Sequence, residues 1–139
     1  MKQFVEQGWR KVEFRKPYKS MGILNEPAVY LIVLKSPRRK IIYVGSTRSL
    51  FKRVCSHQII SVLKRNIPTI KLEVWYKNFR HISYNANEIE EAKLISELNP
   101  IFNGTCALRY ELHEKTIKFW KSMGVEEVKI NFWHNLKVA

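Results

Sequence analysis

Two short apolar runs joined by a five-residue turn constrain this chain more than any other feature of its sequence. Ala28 to Leu34 is a nearly continuous stretch of Val, Leu and Ile, the pattern of a central strand buried on both faces. Lys40 to Gly45 is a second such run. The connection between them, Lys35-Ser36-Pro37-Arg38-Arg39, is too short for a crossover helix, so the two strands are expected to pair antiparallel as a hairpin. In a symmetric register centred between Ser36 and Pro37, Tyr30 stands across from Tyr43, and directly opposed residues share a face of the sheet.

Patterning on either side of the hairpin suggests an α+β domain. Residues 1–27 read as a basic extension that ends at Asn25-Glu26-Pro27, where proline restricts the residue before it. After Gly45, Ser46 or Thr47 can cap a helix running to about Arg65, with Leu50, Val54, Ile59 and Val62 or Leu63 inward. Pro68 bars its continuation. From Ile70 to Tyr76, Ile70, Leu72, Val74 and Tyr76 alternate with Lys71, Glu73 and Trp75, the pattern of a half-buried strand. A second helix is expected over Ala86 to Leu98, capped by Asn85 and stopped by Asn99-Pro100. A third, from about Leu108 to Met123, precedes a short strand over Val128 to Trp133. The expected domain is a three-stranded antiparallel sheet flanked by helices over residues 28–104, with residues 105–139 packed against it.

Charge narrows the partner. The chain of 139 residues carries a net charge of +13, more than solubility requires. No carboxylate occurs between Glu26 and Glu73, an interval that holds Lys35, Arg38, Arg39, Lys40, Arg48, Lys52, Arg53, Lys64, Arg65 and Lys71. Such a segment on an ordered, aromatic-rich domain reads as a phosphate-binding face, with Lys35, Arg38, Arg39, Lys40, Arg48, Lys52, Lys64 and Arg65 as the DNA-contacting candidates. An anionic membrane fits less well, since no basic amphipathic anchor is present and no stretch approaches the length of a span. Met1 to Lys11 lacks the apolar run of a signal peptide, and Cys55 and Cys106 read as reduced thiols, so a cytoplasmic protein is expected. All 12 acids are Glu, which disfavours sites that hold metals on Asp.

One of those glutamates is out of place. Taking about 100° per residue from Ile89, Leu94, Leu98, Ile95 and Ala92 fall between about 140° and 300°, and Glu91 falls at about 200°, inside the apolar arc. Glu90, Glu97 and Lys93 fall on the opposite side. A carboxylate on a core-facing stripe costs several kcal/mol unless a cation or hydrogen bonds compensate. An ion pair with Arg53 and a bound divalent cation are the two ways to compensate it.

Ala28-Val29-Tyr30, Tyr43-Val44-Gly45, Arg53, His57, Glu91 and Asn103, with Leu98 and Pro100 between the last two, follow in order and spacing a pattern that resembles the GIY-YIG nuclease domain. The resemblance covers roughly Pro27 to Gly104. Ala28 replaces the first Gly, and the turn between the triplets is slightly long. The resemblance implies a metal-dependent DNA endonuclease with Tyr30, Tyr43, Arg53, His57 and Glu91 converging at one face and Gly45 and Asn103 supporting the site. One Mg2+ or Mn2+ on Glu91 would assist hydrolysis, Tyr30 with Tyr43 would take a proton from the attacking water, Arg53 would stabilise the pentacovalent phosphorus and His57 would orient water or phosphate. The partner would be DNA, double-stranded or branched, and the enzyme a monomer or transient homodimer. A phage or mobile-element enzyme of the homing type leads, with a structure-selective repair nuclease and a silent DNA-binding domain as alternatives.

Overall fold

The computed structural model describes residues 1–103 and 118–124. Its elements are helix α1 (Lys2–Glu6), strand β1 (Arg10–Glu13), a 3-10 turn (Tyr18–Met21), strands β2 (Ala28–Leu34) and β3 (Lys40–Thr47), helices α2 (Leu50–Cys55) and α3 (Gln58–Asn66), strand β4 (Leu72–Lys77) and helix α4 (Ala86–Leu98). The fold is α+β. Its antiparallel sheet has four strands in the order β1-β4-β2-β3, not three. The added strand comes from the segment read as a mere extension: Val12 pairs with Val74 and Glu13 with Glu73, so Arg10–Glu13 of that segment are built into the sheet.

β2 is the central strand, and every one of its residues is buried. Ala28, Tyr30, Ile32 and Leu34 face a core built with α2 and α3, through Leu50, Val54, Ile59, Ile60 and Leu63. Val29, Leu31 and Val33 face a second core with Phe4, Trp9, Trp75 and Leu94, so α1 and α4 cover the opposite side. A strand flanked on both faces needs apolar residues at every position, which is why its sequence shows no alternation. The same reasoning corrects β4, where Glu73 and Trp75 are buried instead of facing water.

The hairpin register differs from the symmetric one. Tyr30 opposes Gly45 and Tyr43 opposes Ile32: at the hairpin tip Leu34 already pairs with Lys40, one residue from the symmetric register, and a bulge between Ile32 and Val33 adds one more. The offset is two residues along β3, and it leaves both tyrosines on one face because side chains alternate with period two. Ala28 sits in ordinary extended backbone: among the described non-glycine residues only Asn99 has a positive φ.

The long helix expected over residues 46–65 is two helices that break at Ser56-His57, with His57 as the N-cap of α3. α4 has the expected bounds and ends on the left-handed Asn99 just before Pro100. Its buried side is Ala86, Asn87 and Leu94, with Glu90 and Glu91 half-buried and Ile89 and Ala92 exposed, so the inward face is rotated from the apolar arc and takes in Glu90. Residues 118–122 are helical, and Phe119 and Trp120 pack edge-on against Phe102. The remainder of the third helix and the strand expected over Val128 to Trp133 lie outside the described residues.

Candidate active site

Tyr30 lies at the centre of β2 with 1% of its surface exposed, and its ring rests on the backbone of Gly45 across the hairpin. A Cβ at Gly45 would lie 2.6 Å from Cζ and Oη of Tyr30 and 2.8 Å from Cε1 of Tyr43. Glycine is needed here for space. The half-buried Tyr43 comes from the same face of β3, and its ring centroid is 6.0 Å from that of Tyr30.

The break between α2 and α3 turns the His57 imidazole into this pair. Nδ1 accepts a hydrogen bond from the Ile59 amide at 3.2 Å, which places the proton of the neutral ring on Nε2, 3.0 Å from Tyr30 Oη. Burial, aided by the Arg53 charge, lowers the His57 pKa to about 3, so the ring is neutral at physiological pH and donates to the phenol. Burial, and next the neighbouring Tyr43, push Tyr30 far above the ordinary phenol range, and the opposing pull of Arg53 does not prevail.

Two expectations change as a result. Tyr30, sealed and held as a phenol, is poorly placed to take a proton from water; Tyr43 presents the more accessible hydroxyl. His57, at 2% exposure with both ring nitrogens engaged, cannot orient a water and instead fixes the position of Tyr30. Arg53, on α2, is half-buried beside both phenols. Burial works against its charge, but the tyrosines hold its pKa above the ordinary guanidinium value.

Glu91 does not converge with these groups on one face. It rises from α4 on the other side of the sheet, where its Oε1 accepts a hydrogen bond of 2.9 Å from Ser46 Oγ. Ser46 follows Gly45 directly, so adjacent residues of β3 present the carboxylate on one face and the tyrosines on the other. β3 is an edge strand, and a substrate group docked along that edge is where the two sides can meet. Asn103 lies on the same edge: Val44 N donates to its Oδ1 at 2.8 Å and its Nδ2 donates to Val44 O at 2.7 Å, so one side chain stands in for a pairing strand.

Among the described residues Glu91 forms no ion pair, and the expected Arg53 partner is engaged with the phenols. A half-exposed carboxylate with one hydroxyl donor suits a hard cation that takes few protein ligands and fills its shell with water and phosphate. No group of three or more His, Cys, Asp and Glu is assembled among the described residues, so Glu91 is the ligand to consider, with Ser46 as its support. The sequence marks Ser46 only as a candidate helix cap; it lies instead within β3, and Ser49 holds the cap position of α2. Strand alternation after Gly45 carried the signal.

The DNA-contacting candidates divide in two. Arg39 makes a bidentate pair with the wholly buried Glu73, at 3.0 and 3.1 Å, and Glu73 also accepts from the Trp75 indole. Lys35 pairs with Glu13, and Lys64 donates to the Ile70 carbonyl. Arg39 and Lys64 are committed to the fold, and Lys35 is paired at the surface. Arg38, Lys40, Arg48, Lys52 and Arg65 are exposed and have no carboxylate partner among the described residues. Arg48 and Lys52 flank the Gly45 end of β3, whereas Arg38 and Lys40 lie at the hairpin tip. Among the described residues no helix is long and apolar enough to cross a membrane.

Comparison with models of protein families, with curated proteins and with solved structures gives no match.

Proposed function

We propose that this chain is a divalent-cation-dependent DNA endonuclease of the GIY-YIG type, hydrolysing phosphodiester bonds at the Gly45 end of β3. The observation that carries the reading is the closure of Tyr30, Tyr43, Arg53 and His57 around Gly45, one residue from the serine that holds Glu91. The order of β2, β3, α2 and α4 also suits the domain that the sequence resembles.

A phosphate seated on the β3 edge would meet Arg53 from one side and Glu91 from the other. Tyr43, beside Arg53, is the group on this face placed to take the proton of an attacking water. As the water oxygen bonds to phosphorus, Arg53 stabilises the charge gathering on the equatorial oxygens. The phosphorus–oxygen ester bond then breaks, and the departing oxygen takes a proton from solvent. Tyr30 and His57 act earlier, by holding the Tyr43 ring and the Gly45 backbone in place. A divalent cation held by Glu91 supplies positive charge against the phosphate.

The test is relaxation of supercoiled plasmid by the purified protein in magnesium and in chelator. Nicking is expected in magnesium only, and Arg53→Gln should slow it by about a hundredfold or more, the scale for losing a transition-state donor. Plasmid binding without nicking at any divalent cation tried would favour a silent DNA-binding domain.

A further inference from the structure

A cleft of about 600 Å3 opens between residues 14–18 and the break from α2 to α3, within the roughly 300–1,000 Å3 typical of ligand pockets. One wall comes from the N-terminal segment, which lies outside the region of family resemblance. The opposite wall is a face of α3 carrying Gln58, Ser61 and Arg65 at helical spacing. Its lining includes four cations, Arg15, Lys16, Lys64 and Arg65, and no carboxylate. Arg15 is tied to Ser20 and Lys64 to the Ile70 carbonyl. The exposed Lys16 holds its Nζ 5.6 Å over the Tyr18 ring, and Arg65 is exposed. Tyr18 is half-buried in the cleft wall, its ring 5.7 Å from that of Phe14. His57 lines the cleft and also bonds to Tyr30.

From this we infer that the cleft is a binding site for an unpaired nucleotide of a nucleic-acid strand. Its base takes the place of the Lys16 ammonium over the Tyr18 ring, and its phosphate meets the displaced Lys16 together with Arg65. Cations without carboxylates exclude a metal and select an anion; aromatic walls beside them select an anion that carries a flat ring. A duplex presents no free base to such a cleft, so the occupant is single-stranded, as in a flap, fork or gap. The assignment deepens the nuclease reading by naming its substrate class, and it rests on nucleic acid as the partner but not on cleavage.

Binding in chelator separates the two. Affinities of the full chain are measured by fluorescence anisotropy for labelled oligothymidylate, for an abasic strand of the same length and for a duplex, with wild type, Tyr18→Ala and Lys16→Gln/Arg65→Gln. Tyr18→Ala should weaken oligothymidylate binding by roughly tenfold, the scale of one base–aromatic stack, and leave the abasic strand within twofold. The double variant should weaken both single strands and reduce the slope of log affinity against log salt by about 1.4, for two lost phosphate contacts. Duplex affinity should stay within twofold for Tyr18→Ala, and circular dichroism checks that each variant is folded. For Tyr18→Ala, equal losses on duplex and single strand, or no loss, would overturn the assignment. So would sedimentation with phosphatidylserine vesicles that the double variant abolishes in a protein that binds no oligothymidylate. If plasmid nicking fails while these single-strand effects appear, the nuclease reading falls and the cleft stands.

Discussion

At the scale of single residues, the tyrosine pair is divided by exposure. Tyr30 is buried and bonded to a neutral imidazole, while Tyr43 reaches the surface beside Arg53. Tyr43→Phe should therefore lower nicking by about a hundredfold or more, the scale for losing a general base, with DNA binding unchanged. Tyr30→Phe should cost less in rate and more in melting temperature, since it strands the His57 Nε2–H in the core. A fully active Tyr43→Phe beside a dead Tyr30→Phe would return the base to Tyr30. His57 gives an independent check through acidity. Its pKa is about 3 in the fold against about 6.5 unfolded, so the fold gains stability from it above about pH 6.5 and loses it as pH falls toward 3. Between about pH 6 and 4, urea unfolding of the wild type should lose about 1.4 kcal/mol per pH unit more than His57→Gln. Parallel pH profiles would mean that the ring is not buried neutral. That both tyrosines share a face was legible in sequence, because parity survives a shift of two residues. Which residue opposes which was not, because one residue of the offset is set at the hairpin tip and the other by the bulge at Ile32 and Val33, which depends on packing.

At the scale of elements, the sequence was clearest where one pattern had one cause. β2 and α4 have the bounds read from it: a fully apolar run made one and Asn99-Pro100 ended the other. Two elements were hidden. β1, Arg10–Glu13, is mostly exposed and highly charged, so it lacks a hydrophobic signature, and pairing with β4 alone makes it a strand. The α2–α3 break lies inside an unbroken amphipathic pattern, where an imidazole takes over capping from the backbone. The burial of Glu73 was concealed in the same way: alternation placed it outward, but β4 is covered on both faces and a cation from the hairpin compensates the charge. Burial raises the Glu73 pKa, but the Arg39 and Trp75 hydrogen bonds and the charges of Arg39 and Lys11 outweigh it, leaving the carboxyl below its usual range. Glu73→Gln should lower the urea midpoint, though by less than for a wholly buried pair, because the Arg39 left behind is exposed to solvent. An unchanged midpoint would place Arg39 among the DNA-contacting residues instead.

At the scale of the whole molecule, the sheet separates the groups that the proposed reaction needs. α2 and α3 bring Arg53 and His57 to the tyrosine face, α4 brings Glu91 to the other, and the edge of β3 joins them through the neighbours Gly45 and Ser46. The resemblance grouped these residues in sequence, and Tyr30, Tyr43, Arg53 and His57 do meet, but Glu91 lies across the sheet because neighbouring residues of one strand face opposite ways. The account depends most on Glu91, whose one protein donor among the described residues is a hydroxyl and which forms no ion pair there. Its direct measurement is the magnesium-dependent plasmid-nicking rate of Glu91→Gln, taken on protein shown to retain its melting temperature and DNA affinity. The amide keeps the side chain's size and can still accept from Ser46, but it is a poor ligand for a hard dication. The account predicts that nicking disappears while fold and binding persist. A stable, DNA-binding Glu91→Gln protein that nicks at the wild-type rate would contradict it.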